Sequence, residues 1–323
     1  MKIPRAQARG IFALILVVAL LAGIPVANYL VPKVIKRFTP KVVATGLSSP
    51  PSASEQYDLD LERALKLRAL DPEVVSRLAS VTNRTQIYRN GCHGNQKNPV
   101  PTFPCAFGDL AATNELWLLG DSHAAQWFTP LNYLAKRHHL KLVVRTMSSC
   151  PFLSGIPTLD DPKTNYWQCR IHNNWLLGQI AKVQPKFIVV SGYLGIEAKN
   201  IDATISGLKS LAGKGSSVIV LGDTPKPRGS APDCLSNNRS SIQKCAASKT
   251  ANQAKLLRSK ITAVANKFGF NWVDPTTWLC KGAICPAVIA GRIIYADNTH
   301  ISTEAQHYLV GRIEALLGPI VEN

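Results

Sequence analysis

The sequence predicts an α/β fold in which helices cover both faces of a parallel, five-stranded sheet of the flavodoxin-like type. From Glu115 onward, short apolar segments alternate with longer segments of helical periodicity, which is the order of a doubly wound sheet. Residues 187–191 and 217–221 are almost continuously apolar, as strands buried on both faces are. Such a sheet brings its strand-to-helix loops to one edge, where α/β proteins bind ligands.

The individual elements follow from the hydrophobic periods of 2 and 3.6 residues. Strands are expected at residues 116–119, 141–145, 187–191, 217–221 and 271–273. Helices are expected at about 124–138, 171–183, 199–213, 247–268 and 303–316. Two short helical patterns come before them, and the second begins at Asp71-Pro72-Glu73, which reads as an N-cap, a first-turn proline and a first-turn acid.

The N-terminus reads as a membrane anchor. Residues 1–10 are basic, and residues 11–31 form an apolar stretch of about the ~20 residues that cross a bilayer. A cleaved signal peptide is the alternative, but Val26-Ala27-Asn28 is a poor cleavage site. We therefore expect a basic segment (1–10), an anchor (11–31), a Ser/Pro-rich linker (32–55), a helical juxtamembrane segment (56–90) and one large domain (91–320). Basic residues flank both ends of the anchor, so charge does not decide its orientation.

The cysteines indicate where the large domain resides. All eight follow the predicted anchor, and their separations favour pairing between neighbours in sequence: Cys92 with Cys105, Cys150 with Cys169, Cys234 with Cys245, and Cys280 with Cys285. Eight cysteines allow 105 pairings, and the sequence does not choose among them. Zinc is the rival explanation, but no Cys-x-x-Cys pair or compact Cys/His quartet is present. Disulfides place the domain outside the cytoplasm.

Ser122 lies where a nucleophile would be expected. The apolar segment 116–119 stops at Gly120, and a helical pattern opens at Ala124, so Asp121 and Ser122 lie on a strand-to-helix turn. Backbone N–H groups at the start of a helix can stabilise an oxyanion. The alternative is that Asp and Ser only cap the helix.

The segment Asp297-Asn298-Thr299-His300 supplies the partners of a catalytic serine. An Asp three residues before a His can bind imidazole Nδ1 while Nε2 points to a serine on another loop. Ser122, Asp297 and His300 therefore form a candidate catalytic triad, and we expect Ser122 Oγ and His300 Nε2 to lie within roughly 3.5 Å of each other. His123 is expected to be a packed, hydrogen-bonded imidazole rather than a second base.

Four motifs give the sequence a family resemblance. They are Gly120-Asp121-Ser122-His123-Ala124, Ser148-Ser149-Cys150-Pro151, Leu221-Gly222-Asp223-Thr224-Pro225 and Asp297-x-x-His300. The chain, over about residues 90 to 318, resembles the SGNH/GDSL hydrolase superfamily, and more narrowly the SGNH domain associated with family 3 membrane acyltransferases, which O-acylate cell-envelope glycans. The resemblance implies the three-layer SGNH hydrolase fold.

The oxyanion hole departs from the superfamily pattern. The backbone N–H of Ser122 is one expected donor. In the superfamily a Gly after the second strand and an Asn after the third supply others, and this chain has Ser149 and Gly192 in those loops without an obvious Asn. We expect the backbone N–H groups of Ser149 and Gly192 to act instead.

The resemblance implies a membrane-anchored, extracytoplasmic O-acyltransferase that moves a short acyl group, such as acetyl, to a cell-envelope glycan. No cofactor or metal ion is expected. A separate multi-span membrane acyltransferase is the expected acyl source, since one span is predicted here. A carbohydrate esterase or deacetylase with the same triad is the alternative, and a non-catalytic glycan-binding module is the alternative of another class.

The net charge of +17 also calls for an anionic partner or a merely solvated basic surface. Nucleic acid is excluded, because the domain is expected outside the cytoplasm and no nucleic-acid-binding motif is present. Lipid headgroups and anionic envelope polymers remain as candidates.

Overall fold

The computed structural model describes residues 53–150, 152, 166–193, 201–212, 215–249 and 252–322. The predicted basic segment, the anchor and most of the linker lie outside these ranges. Within the ranges, no helix combines the length and the apolar character that crossing a membrane requires.

A parallel sheet forms the centre of the fold and confirms the α/β prediction. The strands in the described residues are β1 (His93–Gly94), β2 (Ala106–Gly108), β3 (Glu115–Gly120), β4 (Lys141–Met147), β5 (Phe187–Ser191), β6 (Ser217–Leu221), β7 (Ala247–Ser248), β8 (Asn271–Val273), β9 (Ile284–Cys285), β10 (Val288–Ile289) and β11 (Arg292–Ile293). The main sheet has the order β1-β4-β3-β5-β6-β8, with β2 also paired to β4. Its five predicted strands run in the order β4-β3-β5-β6-β8, which is the flavodoxin-like order.

The prediction of five strands was wrong, because the sheet has seven. Both additional strands pair with β4, β1 in parallel and β2 antiparallel. These two strands are short and contain glycine, and neither has two adjacent large apolar residues such as the Trp272-Val273 pair of β8. The disulfide between Cys92 and Cys105 joins the residues next to these two strands, and it ties them together at the edge of the sheet.

Each helix that the sequence predicted is present, two of them divided, and three short helices that the sequence did not predict occur in the described part of the chain as well. They are α1 (Ala53–Lys66), α2 (Pro72–Arg77), α3 (Gln86–Arg89), α4 (Ser122–Ala125), α5 (Phe128–Arg137), α6 (Trp167–Val183), α7 (Ile201–Ala212), α8 (Ala231–Asn237), α9 (Asn252–Phe268), α10 (Thr276–Leu279), α11 (Thr303–Tyr308) and α12 (Val310–Val321), with a 3₁₀ turn at Ile242–Cys245. The predicted helix 124–138 is α4 followed by α5, and 303–316 is α11 followed by α12. Asp71 is the N-cap residue of α2, and Pro72 occupies its first turn, as expected.

The two faces of the sheet bury separate apolar clusters, which makes the fold three-layered. Along β3, Leu116 and Leu118 join one cluster, and Trp117 and Leu119 join the other. The first cluster includes residues of α5, α11 and α12, while the second includes residues of α6, α7 and α9. Because side chains alternate along a strand, β3, β4, β5 and β6 each contribute to both layers.

The N-terminal helices pack against the C-terminal part of the chain. Leu61 and Val74 are buried in the same cluster as residues of α11 and α12. Arg77 Nε donates to Glu304 Oε1 at 2.9 Å, which attaches α2 to α11. The segment that follows α2 is therefore held close to the turn before α11, where Asp297 and His300 lie.

Candidate active site

Ser122 is the first residue of α4, directly after a sharp turn at the end of β3. Asp121 caps this helix, and its Oδ1 accepts the backbone N–H of His123 at 2.8 Å. Gly120 has a φ of +136°, and a Cβ built there would lie 1.8 Å from the backbone oxygen of Ser191. A close approach between β3 and β5 therefore requires glycine before the Asp-Ser pair.

The three residues of the candidate triad form a continuous hydrogen-bonded chain. Ser122 Oγ lies 2.8 Å from His300 Nε2, inside the expected limit. His300 Nδ1 lies 2.9 Å from Asp297 Oδ2 and 3.2 Å from Asp297 Oδ1. This is the geometry of a serine whose proton a histidine can accept, with the carboxylate fixing the imidazole tautomer.

The carboxylate of Asp297 is held by its own turn and by an arginine. Its Oδ1 accepts the backbone N–H groups of Thr299 and His300 at 2.7 and 2.8 Å. Its Oδ2 also accepts from a guanidinium nitrogen of Arg84 at 3.0 Å. Burial acts to raise the pKa of Asp297, but the hydrogen bonds from His300 and the turn outweigh it and hold the pKa well below its usual range. Asp297 is therefore ionised whenever His300 is to act as a base.

A second imidazole lies against His300. The His123 ring is 4.4 Å from the His300 ring, centroid to centroid, with 30° between the planes. His123 Nδ1 lies 2.7 Å from Asp223 Oδ1, and Lys226 Nζ lies 2.7 Å from Asp223 Oδ2. Burial acts to raise the pKa of Asp223, yet His123 and Lys226 hold it well below its usual range. As expected, His123 is a buried, hydrogen-bonded imidazole, and it supports one face of His300.

The candidate oxyanion donors lie at three adjacent strand ends. Gly120 on β3 is opposite Thr146 on β4 and Ser191 on β5, so the loops with Ser122, Ser149 and Gly192 start at the same edge of the sheet. Asp121 Oδ2 accepts the backbone N–H of Tyr193 at 2.9 Å, which joins the nucleophile turn to the loop of Gly192. The assignment of the backbone N–H groups of Ser122, Ser149 and Gly192 as oxyanion donors stays a prediction.

The peptide between Ser148 and Ser149 is fixed on several sides. The Ser148 carbonyl accepts from Tyr166 Oη at 2.6 Å, the Ser148 N–H donates to the Gly94 carbonyl at 2.9 Å, and Ser148 Oγ lies 2.9 Å from His93 Nε2. Ser149 has a φ of +52°, a conformation that non-glycine residues rarely adopt. Because a trans peptide directs its C=O and N–H to opposite sides, the N–H of Ser149 points away from Tyr166.

Comparison with known proteins identifies the family. Residues 91–315, more than two-thirds of the chain, match the model of the SGNH domain that is fused to AT3 domains. This protein belongs to that SGNH family. The family range includes Ser122, Ser149, Gly192, Asp297 and His300, whereas it starts after the N-terminal helices.

Two solved structures resemble the SGNH domain protein more distantly. The periplasmic domain of a lipopolysaccharide acetyltransferase from Salmonella ser. Paratyphi A is 17% identical with a TM-score of 0.49, and the alignment covers 85% of this chain and 98% of that one. A carbohydrate acetylesterase family member from Sinorhizobium meliloti is 13% identical with a TM-score of 0.38, covering 65% and 97%. No curated protein sequence matches this chain.

All eight cysteines of the SGNH protein lie in disulfides between sequence neighbours. The pairs are Cys92–Cys105, Cys150–Cys169, Cys234–Cys245 and Cys280–Cys285, the pairing that their separations favoured. The second disulfide joins the residue after Ser149 to α6. In the part of the chain that the structure describes, no group of three or more His, Cys, Asp or Glu side chains is arranged to hold a metal ion.

Four residues near the triad of the SGNH domain escaped the sequence reasoning. Arg84 lies in a polar segment without a motif that indicates a catalytic role, and His93 lies on a two-residue strand. Asp223 belongs to the Leu-Gly-Asp-Thr-Pro motif at the end of β6, and this motif could have indicated that Asp223 is part of the site. Tyr166 belongs to no recognised motif, and its hydroxyl donates to the Ser148 carbonyl.

Proposed function

We propose that this SGNH protein is an O-acyltransferase that moves a short acyl group, such as acetyl, to hydroxyls of a cell-envelope glycan through an acyl-enzyme on Ser122. The observation that carries the proposal is the hydrogen-bonded chain from Ser122 Oγ through His300 to Asp297, with distances of 2.8 and 2.9 Å. The SGNH family membership supports the reaction class.

In the proposed reaction, His300 Nε2 accepts the proton of Ser122 Oγ as this oxygen attacks the carbonyl carbon of the acyl donor. The tetrahedral oxyanion is stabilised by the backbone N–H groups of Ser122, Ser149 and Gly192. His300 then gives the proton to the departing donor oxygen, which leaves an ester on Ser122. Next, His300 removes the proton of a glycan hydroxyl, this hydroxyl attacks the ester, and Ser122 is released with its proton restored.

We propose further that the catalytic domain is extracytoplasmic and that residues 11–31 anchor it in the membrane. The four disulfides support an oxidising compartment. The fusion of related SGNH domains to AT3 domains supports a membrane acyltransferase, which would be multi-span and separate from this chain, as the source of the acyl group.

Labelling of the full-length protein with a serine-reactive fluorophosphonate tests the acyl-enzyme. We expect one labelled site, lost in Ser122→Ala and His300→Ala but kept in the control Ser80→Ala, whose serine is exposed and remote from the triad in sequence. Intact protein that takes no label would favour the non-catalytic glycan-binding module.

Transfer is separated from hydrolysis by the fate of the acyl group. With 4-nitrophenyl acetate as donor and purified envelope glycan as acceptor, we expect acetyl groups on the glycan by mass spectrometry, and none with Ser122→Ala. Release of acetate from pre-acetylated glycan, without transfer, would assign the protein as a carbohydrate esterase instead.

A further inference from the structure

A polar groove with a volume of about 420 Å³ lies beside the proposed active site. Its walls include Arg84 and parts of α3, α5 and α11. Arg84 belongs to both regions, because it lines the groove and donates a hydrogen bond to Asp297. Thr303, three residues after His300, lines the groove as well. The groove therefore opens at the carboxylate end of the triad.

The lining of this groove is basic, and among the described residues Arg84 is the one of its three cations that pairs with a carboxylate, that of Asp297. Arg84, Arg89 and Lys136 line it, and the lining residues among those the structure describes include no Asp or Glu. Within the same described ranges, neither Arg89 nor Lys136 has a carboxylate within ion-pair distance. Arg89 donates to the backbone carbonyl of Arg84 at 2.7 Å, which keeps the second guanidinium close to the backbone of the first arginine residue. A concave site lined by charges of one sign focuses the field and attracts the opposite charge.

An aromatic ring is exposed on the wall of the groove. Tyr133, on α5, is 52% exposed, and its ring meets that of His307 edge to face at 6.1 Å between centroids. An exposed aromatic ring with a polar edge offers an apolar face and a hydrogen-bonding group together. A saccharide ring, which has apolar C–H faces and polar edges, fits such a wall.

From these observations we infer that the groove binds an anionic group, a carboxylate or a phosphate, on the acceptor glycan. The guanidinium groups and Lys136 would hold the anion, while a hydroxyl on a neighbouring sugar reaches Ser122. This inference rests on the proposed function, because it names the class of acceptor for that reaction. The shared Arg84 favours a glycan over a lipid headgroup, since the acceptor hydroxyl has to arrive next to the triad. It also gives part of the +17 net charge a specific role.

Binding measured without catalysis tests the inference. The full-length Ser122→Ala protein is titrated with oligogalacturonate, with a glycerol phosphate oligomer and with a neutral glucose oligomer. Adding Arg89→Gln and Lys136→Gln should raise the Kd of an anionic oligomer by at least about tenfold, because hydrogen bonds to ionised groups are the strong ones. The matched control adds Lys182→Gln and Lys244→Gln, two exposed lysines outside the groove, and should change Kd less than about twofold, as expected of surface charges.

The titrations with the different oligomers distinguish the possible ligands. Preference for oligogalacturonate identifies a carboxylate site, and preference for the glycerol phosphate oligomer identifies a phosphate site. The inference is wrong if no anionic oligomer binds more tightly than the neutral one, if the control pair weakens binding as much as the groove pair, or if monomeric short-chain phosphatidylglycerol displaces the oligomers. These titrations do not depend on Ser122, so their failure is distinguishable from a failure of the labelling experiment. Thermal unfolding of both triple variants shows whether each is folded.

Discussion

Replacing Tyr166 by Phe removes one hydroxyl group from the surroundings of the Ser148–Ser149 peptide. That hydroxyl donates to the Ser148 carbonyl at 2.6 Å, and the N–H of Ser149 points to the opposite side of the same peptide. We propose this N–H as an oxyanion donor. Tyr166→Phe therefore tests the oxyanion hole through a residue that does not itself touch the reacting atoms.

The expected size of the effect follows from the other contacts of Ser148. A hydrogen bond contributes net about 0.5–1.5 kcal/mol, which corresponds to about a 2- to 10-fold change in the fraction of correctly oriented peptide. Complete loss of an oxyanion donor costs about 100- to 1000-fold in kcat. Since Gly94 and His93 still hold Ser148, at 2.9 Å each, we expect kcat to fall only about 2- to 10-fold. The KM for a small ester should not change.

The assay is steady-state hydrolysis of 4-nitrophenyl acetate, with thermal unfolding followed in parallel. The control is Tyr295→Phe. This substitution removes a buried hydroxyl that has no hydrogen-bond partner among the described residues. Tyr295 is also two residues from Asp297, so it reports general disturbance of the site. Equal kcat values in the two variants, or a change confined to KM, would refute the assignment of Ser149 as an oxyanion donor.

Three further predictions concern the framework of the site. Gly120→Ala should prevent folding, because the added Cβ would lie 1.8 Å from a backbone oxygen, whereas Gly178→Ala, with nothing within 4 Å, should fold; soluble yield and circular dichroism compare them, and a folded Gly120→Ala would contradict the reasoning. Asp223→Asn should lower the free energy of unfolding at pH 7 by about 3–5 kcal/mol, because it breaks a buried ion pair. Since the pKa of Asp223 is lowered by folding, its contribution is present above about pH 4 and is lost as the pH falls further, so urea unfolding should show a smaller deficit at pH 3 than at pH 7. A deficit that is constant with pH would mean that the charge is not responsible. Cys150→Ser with Cys169→Ser should cost about 2–4 kcal/mol in urea unfolding, and an unchanged midpoint would show that this disulfide does not stabilise the fold.

Much of the fold was readable because its signals are local. Four of the five main strands carry a run of at least three apolar residues, the fifth carries the Trp272-Val273 pair, and the helices carry the 3.6-residue period. The edge strands β1 and β2 are short, contain glycine and have no two adjacent large apolar residues. Their pairing depends on β4 and on the disulfide between Cys92 and Cys105, which are contacts between distant parts of the chain.

The residues of the candidate site also fall into two groups, those with a local sequence signal and those without one. Ser122 was identifiable from the end of an apolar segment, and Asp297 with His300 from a spacing of three residues. The structure places these side chains within hydrogen-bond distance, while their catalytic role stays a prediction. Arg84 could not be connected with Asp297 from sequence, because 213 positions separate them and the segment around Arg84 has no motif that indicates a catalytic role.

The sequence by itself determined the α/β class, the positions of the five main strands, the turn that carries Ser122 and the Asp297-x-x-His300 segment, because each is written in residues that are neighbours along the chain. Only the tertiary structure decided that Tyr166 fixes the Ser148 carbonyl, that the His123–Asp223 pair supports His300, and that a basic groove opens beside Asp297. These features depend on side chains that meet only after the strands have paired and the helices have packed. No local period or spacing encodes such a meeting.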